Sequence, residues 1–188
     1  MIDSLTRGKL RRRFELFDEN KDGLVSKADY DRLADRLAVA AGSGPDSELA
    51  RKLRREYDQG WQRMCEGLGC EAGASMNEED FVATWHAVQQ RYGFTTSIQP
   101  IVDTVITSMD RDGNGALDVG EFTRWIGAYG VDPASARAAF DRLDRDGDER
   151  IGRAELTRAF KEYFLGTDEN APGNWIYGPF HDASARAR

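Results

Sequence analysis

Three short runs in this 188-residue chain carry side-chain oxygens at alternate positions: Asp18-Glu19-Asn20-Lys21-Asp22-Gly23, Asp110-Arg111-Asp112-Gly113-Asn114-Gly115 and Asp144-Arg145-Asp146-Gly147-Asp148-Glu149. Each is followed by a carboxylate at the twelfth place, namely Asp29, Glu121 and Glu155. A hard divalent cation takes about six to eight oxygen ligands at roughly 2.3 to 2.6 Å. A short loop wrapped around an ion turns alternate side chains inward, so this spacing suits cation binding. Asp/Gly turns on a solvated face would have a similar composition. They would not require the apolar residue at the eighth place of each run (Val25, Leu117, Ile151), nor the carboxylate at the twelfth.

The runs resemble the loop of the EF-hand superfamily, which presents ligands from positions 1, 3, 5, 7, 9 and 12. For the loop at 18–29 the resemblance implies Asp18, Asn20, Asp22, the carbonyl of Leu24, Ser26 and Asp29 as ligands. For the loop at 110–121 it implies Asp110, Asp112, Asn114, the carbonyl of Ala116, Asp118 and Glu121. For the loop at 144–155 it implies Asp144, Asp146, Asp148, the carbonyl of Arg150 and Glu155. Eleven carboxylates then converge on three points and would repel one another without a cation. Three calcium ions would take the formal charge from −7 to about −1.

The loops depart from the pattern unequally. The 110–121 loop matches throughout and is expected to be the tightest or most calcium-selective site. Asp29 stands where Glu is usual, and a side chain one methylene shorter reaches the ion less well; magnesium is expected to compete at this first loop. Glu149 occupies a place that wants glycine. A left-handed conformation there costs about 1 to 2 kcal/mol, which would lower affinity about tenfold without abolishing it. Gly152 at position 9 has no side chain, which a water ligand tolerates.

A further unit is located by its flank, Asn77-Glu78-Glu79-Asp80-Phe81. Counting back from Asp80 as position 12 puts Gly69, Glu71 and Gly73 at positions 1, 3 and 5, so two glycines replace two oxygens. This second loop is expected to bind no ion. Met76 at its position 8 keeps it able to pair with the first loop.

Around the loops, apolar residues recur with helical spacing: Leu10, Phe14 and Phe17; Leu53, Tyr57, Trp61, Met64 and Leu68; Ile101, Val105 and Met109; Leu156, Phe160 and Phe164. The fold class expected is all-α, with four EF-hand units in two pairs forming one compact body and short β contacts between loops. Helix starts are marked by Asp132-Pro133 and by Ser97 before Ile98. A long helix is predicted from about Ser47 to Leu68, and Gly93-Phe94-Thr95-Thr96 is read as the connection between halves. The divisions are an N-terminal pair (1–92), a C-terminal pair (97–164) and a tail (165–188). The tail carries Trp175, Ile176, Tyr177 and Phe180 in a Gly- and Pro-rich stretch expected to lie across the body.

Unequal spacing of the units, a second unit without its ligands and an aromatic tail make the chain similar to the sarcoplasmic calcium-binding proteins and their bacterial calerythrin-like members, over roughly residues 5 to 180. That resemblance implies a cytoplasmic calcium buffer, acting as a monomer. A sensor would open an apolar, Met-rich groove to a protein target, but only Met64, Met76 and Met109 lie inside the body. A photoprotein-like chromophore binder is the remoter alternative. It would use Trp61, Trp85, His86, Trp125 and Tyr129, residues whose helical spacing is expected of a packed core.

Other classes find no motif. The acidic balance does not suit nucleic acid. No stretch is long and apolar enough to span a bilayer, and Met1-Ile2-Asp3-Ser4 does not begin a signal peptide. Cys65 and Cys70 are read as reduced thiols. There is no phosphate-binding glycine loop and no nucleophile elbow, so an enzyme is not expected.

Overall fold

The computed structural model describes residues 2–68 and 74–179. Among them are eight α-helices: α1 (Ser4–Phe17), α2 (Lys27–Ala40), α3 (Glu48–Leu68), α4 (Glu78–Ser97), α5 (Gln99–Met109), α6 (Val119–Gly127), α7 (Pro133–Leu143) and α8 (Arg153–Leu165). Between the two helices of each pair sits a two-residue strand: β1 (Val25–Ser26), β2 (Ser75–Met76), β3 (Ala116–Leu117) and β4 (Ile151–Gly152). β1 pairs antiparallel with β2, and β3 with β4. The eighth-place residues face each other across these ladders, Val25 opposite Met76 and Leu117 opposite Ile151. All four are buried, so each ladder ties two loops together and closes the end of the core.

The helices begin where local chemistry satisfies their first N–H groups. Asp3 accepts from Thr6 N at 2.8 Å, and Asp132 accepts from Ser135 N at 2.9 Å with Pro133 in the first turn. Ser97 does not act as a cap. α4 runs through it, Ile98 is the residue before α5, and the Ser97 hydroxyl is buried without a partner. The stretch after Gly93 is helical too. Gly93 takes φ 69° and ψ 177°, and this one residue bends α4 where a loop was expected. α3 covers almost the predicted span.

Both halves contribute to one apolar core. Phe17 of α1 packs on Tyr30 of α2 with ring centroids 4.7 Å apart, and Phe14 lies edge-on to Phe81 of α4 at 5.6 Å. Across the middle, the Tyr57 and Tyr129 hydroxyls are 2.7 Å apart, joining α3 to the residues just after α6.

The segment after α8 turns through a short 3₁₀ helix at Pro172–Trp175 and buries Ile176 and Tyr177. Gly173 comes so close to α8 that a side chain there would meet the Ala159 carbonyl at 2.4 Å. Arg13 Nη1 donates to the Tyr177 hydroxyl at 2.9 Å, and Arg12 Nη2 to the Tyr177 carbonyl at 3.3 Å. Lys9 Nζ donates to the carbonyls of Glu162 and Gly166, both at 2.9 Å, at the C-terminal end of α8. Burial among these groups lowers the Lys9 ammonium to about 8. Phe180 lies outside the described residues.

Candidate metal sites

Positions 1 to 6 of each loop are shaped by the position-1 carboxylate, which gathers backbone N–H groups. In the 110–121 loop, Asp110 accepts from Gly113 N at 2.8 Å, Asn114 N at 3.1 Å and Gly115 N at 2.7 Å. In the 144–155 loop, Asp144 accepts from Gly147 N at 2.8 Å and Glu149 N at 3.0 Å. In the first loop, Asp18 accepts from Asp22 N at 3.2 Å and Gly23 N at 3.1 Å. This curl requires left-handed backbone at positions 4 and 6 of these three loops. The expected strain at Glu149 is present, with φ 64°, against 82° and 86° for Gly23 and Gly115. Position 4 makes the same demand, met by Gly113 and Gly147 but by Lys21 in the first loop, with φ 58°. That requirement was missed from sequence, although glycine at 113 and 147 signals it.

Position 12 separates the loops. Glu121 accepts from Arg111 N at 2.7 Å and Asp118 N at 3.1 Å, spanning the loop from its second residue to its ninth. Glu155 does the same with Arg145 N at 2.8 Å and Gly152 N at 3.1 Å. Asp29 reaches only the near side, where one oxygen accepts from Ser26 N at 2.8 Å and Ser26 Oγ at 2.7 Å. Its other oxygen is held by Arg32, and Glu19 N donates to the Phe17 carbonyl at 2.9 Å instead. Arg32 and Arg36 also engage Glu19. The arginines went unnoticed in the sequence because they fall on the outward side of a helix, where charge is ordinary.

Two carboxylate trios result, Asp110–Asp112–Glu121 and Asp144–Asp146–Glu155, each offering oxygens that all lie within 4.8 Å of one another. Among the described residues Asp18, Asp22 and Asp29 form no such trio. Hydrogen bonds from Asn114 hold Asp112 below the usual carboxylate range. The other expected ligands line the same loops. Asn114 Oδ1 accepts from Ala116 N at 2.9 Å, Asp148 Oδ1 from Arg150 N at 2.9 Å, and Asp118 caps α6 through Glu121 N at 2.7 Å. In the first loop Asn20 Nδ2 donates to Asp22 Oδ2 at 2.7 Å, and Asp22 Oδ1 accepts from Leu24 N at 2.8 Å. An all-oxygen donor set of this kind fits a hard cation such as calcium, whose charge would offset the crowded carboxylates.

The second loop's Gly69, Glu71 and Gly73, and Cys70 beside them, lie outside the described residues. Its exit is described. Asn77 caps α4 by accepting from Asp80 N at 2.9 Å, and Asp80 is exposed, unlike the buried Asp29 and Glu121.

A cavity of about 100 Å³ lies in the core between α1, α2, α3, α4 and α5. Trp85 and Trp125 are on its wall, so two of the aromatic residues expected simply to pack also border a void. Trp61 and Tyr129 are buried elsewhere in the core, and His86 is half-buried.

A family model described as EF hand matches residues 10–34 and 101–126, around the first and third loops. Those two stretches are EF-hand units by this model, and the helix–loop–helix pairs around them have the EF-hand fold. The chain is 23% identical over 169 residues to calerythrin of Saccharopolyspora erythraea, covering 88% of this chain and 96% of calerythrin. A Streptomyces coelicolor calcium-binding protein, whose structure is described as a basis for calcium-mediated regulation, superposes with a TM-score of 0.69 at 26% identity, covering 85% of this chain and 98% of that one. The chain is also similar to the luciferin-binding protein of Renilla reniformis, 25% identical over 174 residues, covering 90% of this chain and 91% of that protein.

Proposed function

We propose that the chain is a cytoplasmic, monomeric calcium buffer that takes up three ions, in the loops at 18–29, 110–121 and 144–155, with magnesium competing at the first. The second loop serves as the structural partner of the first through the Val25–Met76 ladder. Its working parts are the N-terminal pair, the C-terminal pair and the tail as divided above, and no catalytic step belongs to this reading.

The observation that carries buffer over sensor is the seated tail. A sensor must offer an apolar groove to its target. Here Tyr177 and Ile176 are buried against the body, and Met64, Met76 and Met109 are all interior. Among the described residues no helix is long and apolar enough to cross a membrane.

Calorimetric titration of metal-free protein, with and without millimolar magnesium, tests the stoichiometry: three binding events are expected, one of them suppressed by magnesium. Dye-detected apolar surface should fall or stay level on adding calcium. A large rise would replace the buffer with a sensor, a role in keeping with the calcium-mediated regulation described for the Streptomyces relative.

A second reading, calcium-linked carriage of a small aromatic molecule, is favoured by the core cavity and by the similarity to a protein named for binding luciferin.

A further inference from the structure

The segment beyond α8 is held from both flanks of the fourth loop. Asp144 opens that loop, and an arginine on either side of it, Arg142 before and Arg145 after, reaches toward the tail. The Arg142 guanidinium, in the last turn of α7, stacks 3.7 Å from the centroid of the Trp175 ring. The Arg145 guanidinium pairs with the Glu162 carboxylate of α8, and the same carboxylate oxygen accepts from Gly173 N at 2.9 Å. Arg158 Nε donates to the other oxygen at 3.1 Å. Only glycine fits this approach, since a Cβ on Gly173 would also lie 2.7 Å from Glu162 Cβ. The 3₁₀ turn at Pro172–Trp175 thus bridges the entering and exiting helices of one loop.

Arg145 has a second attachment. Its backbone N–H donates to Glu155 Oε1 at 2.8 Å, the carboxylate at the twelfth place. One residue therefore touches the carboxylate trio through its main chain and the tail's anchor through its side chain. With the tail seated, the oxygens of Asp144, Asp146 and Glu155 are gathered within 4.8 Å of one another. EF-hand sensors respond to calcium by changing the angle between their two helices, whereas buffers barely move. A bridge across α7 and α8 resists that change and organises the loop before the ion arrives, which raises affinity.

We infer that the tail is a clamp on the fourth loop, with Arg142, Arg145 and Glu162 as positioning residues that tie its seating to occupancy of that loop. The coupling is reciprocal: an ion in the loop tightens the tail, and a seated tail tightens the site by the same factor. This inference rests on the reading that calcium occupies the fourth loop and adds what sets the affinity there.

The test uses the full chain, in calorimetric titration with calcium and in hydrogen exchange of the tail. Calcium should slow exchange of the Gly173, Ile176 and Gly178 amides, all hydrogen-bonded in the seated tail, by about fivefold or more. The double variant Asp144→Ala/Glu155→Gln, which strips the fourth loop, should remove one binding event and cancel that slowing. Gly173→Ala, which pushes the tail off α8, should weaken one event by about tenfold, and the nearly isosteric Glu162→Gln by about fivefold, with the other events unchanged. In the stripped-loop background neither should alter the events that remain. If Gly173→Ala does not fold, Glu162→Gln decides. Equal weakening of every event is a general loss of stability and overturns the clamp. Tail exchange indifferent to calcium, or binding untouched by Glu162→Gln, overturns it too and leaves the fourth site standing. No event lost on stripping the loop overturns the fourth site and the clamp with it.

Discussion

The first and third loops begin alike and end differently. Both curl six residues around a position-1 aspartate, and both close the core with a two-residue strand. In the third loop Glu121 then reaches back across the open side to the N–H of Arg111. In the first, Asp29 falls short by one methylene and is taken by Arg32, three residues further along its own helix. A twelfth-place glutamate closes the loop from within, whereas an aspartate leaves the loop's entry to backbone and guanidinium partners outside it. How the loop closes thus depends on the reach of one side chain and on what stands nearby to occupy it.

The comparison breaks most visibly if its strongest member is removed. Glu121→Gln should weaken one binding event by on the order of 10- to 100-fold, the scale of a charge-assisted contact. Asp29→Asn should cost less, and equal losses in calorimetry would mean the two positions are not different in kind. Lengthening the short member comes next. Asp29→Glu should raise first-loop calcium affinity about tenfold and remove the competition by magnesium. An unchanged magnesium effect would discard reach as the cause. Relief of strain in the fourth loop is smaller: Glu149→Gly should tighten that site roughly five- to tenfold, read from the same titration. Smallest is Arg32→Ala. An exposed arginine contributes modestly, so first-loop affinity should rise about two- to fivefold, with the gain shrinking as salt is added.

The loops were legible from sequence because ligand geometry fixes residue type at fixed intervals. The eight helices were legible because their apolar faces repeat with the helical period. What stayed hidden depends on tertiary surroundings. Lys21 reads as an ordinary charged residue until the curl demands left-handed backbone there. Ser97 has the right type for a cap, but Gly93 carries the bend, so the helix continues through it. Arg13 sits in the basic stretch Lys9-Leu10-Arg11-Arg12-Arg13, which suggests a solvated face. Its spacing from Leu10 and Phe17 was the available signal: i+3 and i−4 place it on the buried stripe, as i+4 from Leu5 places Lys9.

The contacts that α1 makes with the last turn of α8 and the segment beyond it join residues 153 to 165 positions apart in the chain. During synthesis α1 leaves the ribosome well before the groups that receive Lys9 and Arg13. Until then those two cations have only water. Both carboxylate-rich loops of the second half are already made when Tyr177 arrives, so residues far downstream are the ones that finish the first helix. A chain cut short before Tyr177 would leave Arg13 with neither its hydroxyl nor its cover.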